Sequence, residues 1–457
     1  MPTSAPAPPD EPTSRQRYER RLDARREDVA RWLRIDGRIG DARLGLFALA
    51  LSFAAAATIL HIVSLWWVLP WTVAFLILVF SHEPARRRLD RAQRAAALYE
   101  RGIARLDDRW AGTGTPGLRF LDDDHPYAAD LDLFGEGSLF ERLCQARTRS
   151  GEAVLAGWLT AGAPPDTIRA RQAAVAELRP CLDLRERIEL LGTRERAAID
   201  PDVLAAWGRA PRVFHGAGVR IGAAILGGAN IAAVYAWAAT ALGLYPLLIT
   251  IFATALFSRW LKRRVSLALA GLERSTRDLR VLAGLLDAIE RARFDAQLLR
   301  DVQTRLSTRG RPASERIARL ARLLHLLDTG QNQFFAPVAA LLVWRPWLAT
   351  AVDAWRAEHG PAIRDWLDAT GTFEALCSVA CYAAENPGDA VPEIVEGEAR
   401  FEAVDLGHPL LPEAEFVRND VRLGNPARVL VVSGSNMSGK STLLRTVGVN
   451  TVLALAG

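Results

Sequence analysis

A glycine-rich loop carries the clearest chemistry in this 457-residue sequence. It fits the pattern G-x-x-x-x-G-K-[ST] without a mismatch, and its residues are Gly434, Ser435, Asn436, Met437, Ser438, Gly439, Lys440 and Ser441. In such loops backbone N–H groups surround the phosphates of a nucleotide, and the lysine reaches the β- and γ-phosphates. The Ser441 hydroxyl is expected to ligate Mg²⁺, and Thr442 offers a second hydroxyl for the α-phosphate. The pattern therefore predicts binding of ATP or GTP with Mg²⁺.

The sequence around the loop predicts the elements that must position it. Short β-type runs precede it at 401–404, 415–417 and 428–432, and an apolar, helix-like stretch follows Lys440. A helix that begins at about Gly439 would point the positive end of its dipole at the phosphates. A chance glycine turn is the alternative. Because the chain has only two lysines, and because the context is strand, loop and helix, the pattern favours a nucleotide site.

The loop resembles that of the MutS mismatch-repair family, which has Asn-Met in its middle and an arginine after the Ser-Thr pair. Here those residues are Asn436, Met437 and Arg445. Upstream, Gly407–Leu411 is similar to the Gly-(Arg)-His-Pro element of the family, and 415–420 is similar to its Phe-Val-x-Asn-Asp element. The resemblance implies that Phe416 stacks on the adenine of ATP. An ordinary strand aromatic is the alternative for this residue.

A second group of residues resembles the start of the MutS core, or lever, domain. It consists of Asp132–Phe134, Gly137–Phe140, Thr148, Gly151, Leu155, Trp158, Leu159 and Ile168–Gln172. Altogether the resemblance covers about 118–200 and 270–457. It implies helices that join DNA-contacting parts to an ATPase domain, an ATP-dependent DNA-binding ATPase related to mismatch repair, and a homodimer that completes the ATP site.

The sequence also departs from the family. Residues 1–117 leave no room for the N-terminal mismatch-reading domain, and Phe134-Gly135-Glu136 matches that domain's Phe-x-Glu wedge only by coincidence, because it lies inside the core motif. DNA contact, if made, is expected to be sequence-independent. The Walker B strand and the signature segment that the family needs for hydrolysis do not follow before Gly457. We therefore expect the front part of a longer protein, an ATPase as a full-length dimer, and place no catalytic residue within this chain.

Two long uncharged runs predict membrane anchoring. Residues 44–80 and 221–258 contain no Asp, Glu, Lys or Arg, with His61 the one titratable group of the first run, and each run is long enough for two short spans with a central break. Arginines flank both runs at both ends, which places the soluble segments in the cytoplasm. We thus predict two transmembrane helical hairpins in the lipid bilayer, as in a multi-pass protein of a bacterial inner membrane. Buried hairpins of a large soluble protein are the alternative.

The predicted fold class is mainly α, with two transmembrane hairpins and a MutS-like helical core followed by the start of a P-loop α/β domain. The predicted segments are a polar tail and helix (1–43), hairpin 1 (44–81), an amphipathic linker helix (82–117), the first part of the core (118–210), hairpin 2 (211–264), further core and lever helices (265–395) and the N-terminal part of the ATPase domain (396–457). Residues 1–14 are Pro-rich, which predicts disorder.

Composition excludes some classes of protein. Four cysteines are too few for a disulfide scaffold, and their spacing offers no zinc site, so neither is expected. Cys377 and Cys381 share a helix face that is expected to be buried. A net charge of +5 is not by itself the mark of a nucleic-acid binder. Two other functions remain open: an ABC-type transport ATPase, and a membrane scaffold with a regulatory nucleotide site.

Overall fold

The protein is described by a computed structural model that covers residues 12–59, 64–191, 200–239, 243–272, 275–308, 310–333, 335–412, 414–435 and 439–457. The Pro-rich residues 1–11, residues 60–63 of the turn expected near 61–65 in hairpin 1, and residues 240–242, just before the break expected at about 243–246 in hairpin 2, lie outside these ranges. The chain divides into two compact units, Met1–Thr113 and Gly114–Gly457. Each is described separately.

The first unit consists of two long helices. Helix α1 runs over Ser14–Thr58, a short 3-10 turn over Leu65–Trp67, and helix α2 over Val68–Leu106. Helix α1 begins at a capping box, in which the Thr13 hydroxyl accepts from the Gln16 amide and the Gln16 side chain accepts from the Thr13 amide. Both helices continue without a break from polar into apolar sequence, so the separate linker helix expected at 82–117 is wrong: its helical part is the second half of α2.

Cross-contacts show that α1 and α2 run antiparallel along their whole length. From the polar end to the apolar end, the pairs are Arg15 with Asp107, Tyr18 with Tyr99, Arg26 with Glu100, Asp36 with His82, Phe47 with Phe75, and Phe53 with Trp71. The interface of the polar half is built on small residues of α2, with Ala92, Ala95 and Ala96 buried. Small side chains allow the helix backbones to approach closely.

The second unit is mainly helical. Its helices are α3 (Leu139–Leu143), α4 (Arg149–Thr160), α5 (Pro165–Leu178), α6 (Leu182–Glu189), α7 (Pro201–Arg209), α8 (Gly218–Ala239), α9 (Tyr245–Leu269), α10 (Thr276–Arg291), α11 (Gln297–Leu306), α12 (Ala313–Thr329), α13 (Ala336–Leu341), α14 (Trp344–His359), α15 (Ile363–Glu385) and α16 (Lys440–Ala456). Short 3-10 turns occur at Leu118–Phe120 and Gly360–Ala362. A two-residue ladder, β1 (Ser307–Thr308) with β2 (Arg311–Pro312), lies between α11 and α12, and Gly310 in its turn has φ 70°.

Helix α15 joins two hydrophobic cores. The larger core gathers α5–α7, the second half of α9, α10–α12 and α14, and from α15 it takes Trp366, Phe373 and Leu376. The smaller core gathers the segment from Ala128 to Leu159, part of α16, and Ala375 of α15. Cys377 and Cys381 are buried on this helix, which confirms the burial expected of their shared face. Because α15 is buried along most of its length, it forms the centre of the unit.

Helices α8 and α9 correspond to predicted hairpin 2. The described residues of the break include Gly243, whose φ of 65° is the left-handed conformation that glycine adopts without strain. Helix α9 extends beyond the predicted boundary at 264: its first half is exposed and apolar, whereas Leu261, Val265 and Ala268 enter the larger core. One continuous helix therefore links the hairpin to the helical core.

The region before the glycine loop contains one antiparallel strand pair, β3 (Phe401–Leu406) with β4 (Asn419–Leu423). The strand expected at 401–404 is confirmed. Those expected at 415–417 and 428–432 are wrong, because the first is turn and coil and the second has no regular structure. A strand needs a neighbour for its ladder hydrogen bonds. Within the described ranges, β3 and β4 pair with each other and leave 428–432 without a strand partner.

Candidate functional site

The glycine loop leads directly into helix α16. Gly439 is the residue before the helix and has φ 79°, a left-handed conformation that a side chain would strain, whereas space around its Cα is open. The helix begins at Lys440, in agreement with the start expected at about Gly439. The first backbone N–H groups of such a helix have no intrahelical partner, and they face the loop. This is the arrangement that binds anions at helix N-termini.

Lys440 is folded back over the loop. Its Nζ donates to the carbonyl oxygen of Gly434 at 2.7 Å and also to that of Ser435. The ammonium group is therefore held above the loop rather than pointed away from it. Gly434, Ser435 and Ser441 are exposed, and Thr442 is half-buried. Asn436, Met437 and Ser438, the middle of the predicted loop, lie outside the described residues.

The helix that follows the loop is anchored on the smaller core. Val449, Val452 and Ala456 are buried there, in the same cluster as Leu133, Phe140 and Leu155 of the core motif. Gly448 packs so closely on Leu131 that a Cβ would lie 2.5 Å from the leucine side chain. The predicted nucleotide loop and the predicted core motif thus belong to one packed body.

Polar contacts join the helix and the core at both ends. Arg445 donates to Asp132 at 2.7 Å, and Arg171 donates to the Ala456 carbonyl at 2.8 Å. Arg171 also stacks on the Trp158 ring at 3.8 Å, and burial lowers its pKa to about 10. These residues belong to the core motif or the loop motif. Their pairing joins positions as far as 313 residues apart, which no local sequence pattern could indicate.

His408 lies near the Arg445–Asp132 pair. It is buried, and its Nδ1 accepts a hydrogen bond from the Leu410 amide at 3.2 Å. Burial is the main cause that lowers the pKa of His408. The charge of Arg445 lowers it further, and the charge of Asp132 raises it. The imidazole of His408 is therefore harder to protonate than an ordinary histidine side chain.

Phe416 packs against Gly407, a residue that is hydrogen-bonded to α16. Its ring lies against Gly407 and beneath the Arg418 guanidinium, 5.6 Å from the ring centre. The Gly407 carbonyl accepts from the Asn450 side chain at 2.9 Å, and Asn450 is ten residues along α16 from Lys440. Gly407, the neighbour of Phe416, is thus tied to α16 at a point about 15 Å along the helix from Lys440. The ring is half-buried, with Val417 beside it exposed.

The segment that leads into the loop exposes apolar side chains. Val429, Leu430 and Val431 all lie open, Val431 with 83% of its surface exposed, and Leu444 of α16 is exposed as well. Exposed apolar residues that adjoin one another mark a surface that packs against something else. The glycine loop therefore lies at the edge of such a surface.

The core-motif residues have structural roles. Ser138 and Thr148 cap α3 and α4 through their hydroxyls, while Leu155 and Ile168 are fully buried. Phe134 is buried between Phe120 and Phe140, so the Phe-x-Glu letters are not an exposed wedge, as expected. A buried carboxylate that the sequence did not indicate, Glu374 of α15, accepts from the Arg147 amide at 2.7 Å and from the Thr148 hydroxyl.

Both hairpins expose large apolar side chains. Within the described ranges, two helices are long and apolar enough to cross a membrane by length and composition alone, α1 and α8. The apolar window of α1 has none of its residues buried, and that of α8 has 22% buried. Helix α9 adds exposed residues to the second hairpin, such as Phe252 with 72% of its surface exposed.

Fold and site together define a mainly helical protein with a glycine-rich loop at the N-terminus of its last described helix. No protein-family model matches the chain. About a fifth of the chain is related in sequence to curated MutS and MutS2 proteins. These include the endonuclease MutS2 of Bacillus velezensis (32% identity over 101 residues), the DNA mismatch repair protein MutS 1 of Haloarcula marismortui (36% over 103) and the DNA mismatch repair protein MutS of an Anaeromyxobacter species (40% over 115).

The shared stretch is 22% of this chain and 11–13% of the length of each relative. The chain therefore contains a segment related to the MutS family, in agreement with the family resemblance. What the relatives do as whole proteins does not follow from a stretch of this length.

Proposed function

We propose that this chain is part of a membrane-anchored, MutS-like protein whose loop at 434–442 binds ATP with Mg²⁺. The observation that carries the proposal is the geometry at the start of α16, where Gly439 in a left-handed conformation precedes Lys440, and Lys440 bends back over the loop. Similarity to proteins named as mismatch-repair MutS supports the same assignment.

The residues present fit a nucleoside triphosphate. The Lys440 ammonium, which bonds the Gly434 and Ser435 carbonyls, supplies the charge that the β- and γ-phosphates need. The exposed Ser441 hydroxyl follows it and is available to Mg²⁺. Mg²⁺ would neutralise phosphate charge, and Phe416 would contact the adenine, as the family resemblance implies.

Contacts between α16 and the core support a role for the core in transmitting the nucleotide state. Arg445 with Asp132 and Arg171 with Ala456 tie the loop helix to the segments that resemble the MutS lever. A rigid connection of this kind lets a change at the loop move the core helices as a unit. Because relatives of this chain are named as DNA mismatch repair proteins, we propose that the output is binding of DNA. The homodimer that the family resemblance implies is proposed with it.

Membrane anchoring is proposed from the two hairpins. Helices α8 and α9 expose bulky apolar residues such as Ile225, Tyr235, Ile249 and Phe252, and in water such a surface would aggregate. Arg220 lies near the start of α8 and Arg259 lies where the apolar half of α9 ends, on the side that the positive-inside rule assigns to the cytoplasm. The location proposed is a bacterial inner membrane with the helical core in the cytoplasm.

ATP binding by the full-length, detergent-solubilised protein tests the site. Lys440→Ala should weaken ATP affinity by at least about tenfold, since loss of a charge-assisted contact costs about 1.5–3 kcal/mol. Lys262→Ala is the matched control, because Lys262 is the other lysine of the chain and lies exposed on α9. Equal ATP affinity of wild type and Lys440→Ala would contradict the proposal.

DNA binding at varied salt tests the output. A salt-dependent DNA affinity that changes when ATP binds through Lys440 would support a MutS-like function at the membrane. ATP binding without DNA binding at any salt would instead assign the nucleotide site to a non-DNA role and direct attention to membrane partners.

A further inference from the structure

A third apolar segment lies beside the second hairpin. Residues 329–344 carry no charge, and the short helix α13 lies within them. Pro337, Val338 and Ala340 are exposed, Val338 with 45% of its surface, and Trp347 nearby is exposed as well. The chain enters this segment from α12 and leaves it into α14, both of which pack in the larger core.

A buried asparagine of hairpin 2 holds the end of α13. The Asn230 side-chain amide donates to the Leu341 carbonyl at 2.7 Å and to the Thr254 hydroxyl of α9 at 3.0 Å. Gly227, one turn before it, faces the backbone of Leu342, which a Cβ would meet at 3.5 Å. The carbonyl at the end of a helix has no partner within that helix. Asn230 supplies the missing donor.

The contact lies well along the hairpin. Asn230 is ten residues beyond Arg220, or about 15 Å along α8. A second estimate comes from α14, where Thr350 accepts a hydrogen bond from the Arg220 guanidinium. Trp344, the first residue of α14, lies six residues before Thr350, or about 9 Å along the helix. Both estimates put α13 beyond the level of Arg220, beside the apolar part of α8.

We propose that Phe335–Trp344 is a third membrane-embedded element, a short re-entrant segment whose exposed face contacts lipid acyl chains. The inference rests on the proposed membrane insertion of hairpin 2. Non-helical backbone at membrane depth persists only where its polar groups are satisfied within the protein, and Asn230 meets that need at Leu341. Val338 of α13 and Ile225 of α8 both expose apolar side chains, and the exposed Arg345 can extend toward the headgroups from the end of the segment.

Spin-label depth measurement tests the inference. In a full-length protein whose native cysteines are replaced by alanine, single nitroxides are placed by Val338→Cys, Ile225→Cys on α8 and Val203→Cys on the core helix α7. The protein is reconstituted in phosphatidylethanolamine–phosphatidylglycerol vesicles, and accessibility to oxygen and to a nickel chelate is compared. We expect Val338 and Ile225 to prefer oxygen and Val203 to prefer nickel.

The three positions separate the two proposals. If Ile225 prefers oxygen and Val338 prefers nickel, hairpin 2 is in the membrane and the re-entrant segment is not. If both prefer nickel, membrane anchoring by hairpin 2 fails, and the further inference fails with it.

The role of Asn230 is tested by Asn230→Leu in the Val338 spin-labelled protein. Without the donor to Leu341, the label should gain mobility and nickel accessibility. Thr254→Val is the matched control, because it removes the other hydrogen bond of Asn230 and leaves the one to Leu341 intact. An unchanged spectrum in Asn230→Leu would remove the role of Asn230 and leave depth to be judged from the first experiment.

Discussion

Arg445 and Asp132 form an ion pair at 2.7 Å between the first half of helix α16 and the segment that opens the smaller core. Arg445 lies five residues beyond Lys440, and Asp132 has φ 51°, an uncommon left-handed conformation for a non-glycine residue. The pair places one residue of each family-like motif in direct contact.

The charges of this pair should tune His408 in opposite directions. Arg445 lowers the pKa of His408 and Asp132 raises it, while burial is the main cause of the depression. Arg445→Ala should therefore raise the pKa of His408 toward its ordinary value, and Asp132→Ala should lower it further. An NMR titration of the imidazole resonances measures both. Shifts of the same sign in the two variants would contradict this prediction.

The same pair should contribute little to stability. Both side chains are about half exposed, and exposed ion pairs are worth about 0.2–1 kcal/mol. A double-mutant cycle with Arg445→Ala and Asp132→Ala should return a coupling energy in that range. A much larger coupling energy would mean that the pair is shielded from solvent in the full-length protein.

The glycine loop and the long apolar helices could be predicted from sequence because their signals are local. Gly439 and Lys440 occur in a fixed spacing, and an uncharged run such as 221–258 is long enough to be recognised alone. The absence of a strand at 428–432 could not be predicted, because β-type composition does not reveal whether a pairing strand lies beside it. The contact of Asn230 with Leu341 joins residues 111 apart and has no local signature.

The continuity of α1 and α2 was likewise invisible in sequence. The change from charged to uncharged residues near Arg43 indicated a boundary between segments, yet a helix can cross such a change without altering its backbone. Contacts between the two helices show that each is continuous. Asp36 contacts His82 in the polar half and Phe47 contacts Phe75 in the apolar half, so one antiparallel pairing runs through both halves.

Asp353 holds the entry to hairpin 2. It is fully buried, pairs with Arg356 at 2.5 Å and accepts from the Phe214 amide at 2.8 Å, while Arg356 donates to the Pro211 carbonyl. Asp353→Ala would leave a buried guanidinium without its carboxylate, which costs about 3–5 kcal/mol. Thermal unfolding in detergent should show a large loss of stability.

Asp368→Ala is the control for this prediction. Asp368 also pairs with an arginine on its own helix, Arg364, but both side chains are exposed. Its removal should cost about 0.5 kcal/mol or less. Similar losses of thermal stability in Asp353→Ala and Asp368→Ala would show that the buried Asp353–Arg356 pair does not stabilise the entry to hairpin 2.

Glu374 should make stability depend on pH. Burial raises its pKa to about 7, against hydrogen bonds from Thr148 and the Arg147 amide that lower it. Because the folded pKa is above the ordinary value of 4.5, the native state keeps a proton that the unfolded chain releases. The stabilisation is complete below about pH 4.5 and is lost as pH rises through about 7, by up to about 3 kcal/mol.

Glu374→Gln should remove the loss of stability that the wild type shows as pH rises through about 7. A glutamine mimics the protonated acid, since its oxygen can accept from the Arg147 amide and its amide can donate to the Thr148 hydroxyl. Unfolding midpoints in detergent at pH 5 and pH 8 should differ less in the variant than in the wild type. Glu177→Gln serves as control, because Glu177 also accepts two backbone hydrogen bonds, from Asp295 and Ala296. Parallel pH profiles for wild type and Glu374→Gln would contradict the prediction.

Gly208 marks the closest backbone approach in the helical core. A Cβ on Gly208 would lie 2.6 Å from the carbonyl oxygen of Gly360, in the turn before α15, and one on Gly360 would meet the Gly208 carbonyl even more closely. Alanine is normally favoured over glycine inside a helix by about 1 kcal/mol. At Gly208 this gain should be reversed, because the clash is with backbone, which cannot rotate away as a side chain can.

At Gly157 of α4, where a Cβ meets nothing within 4 Å, alanine should instead stabilise. Thermal unfolding of Gly208→Ala and Gly157→Ala should therefore shift in opposite directions, and a rise in both would show that α7 and the turn at Gly360–Ala362 are not packed backbone to backbone.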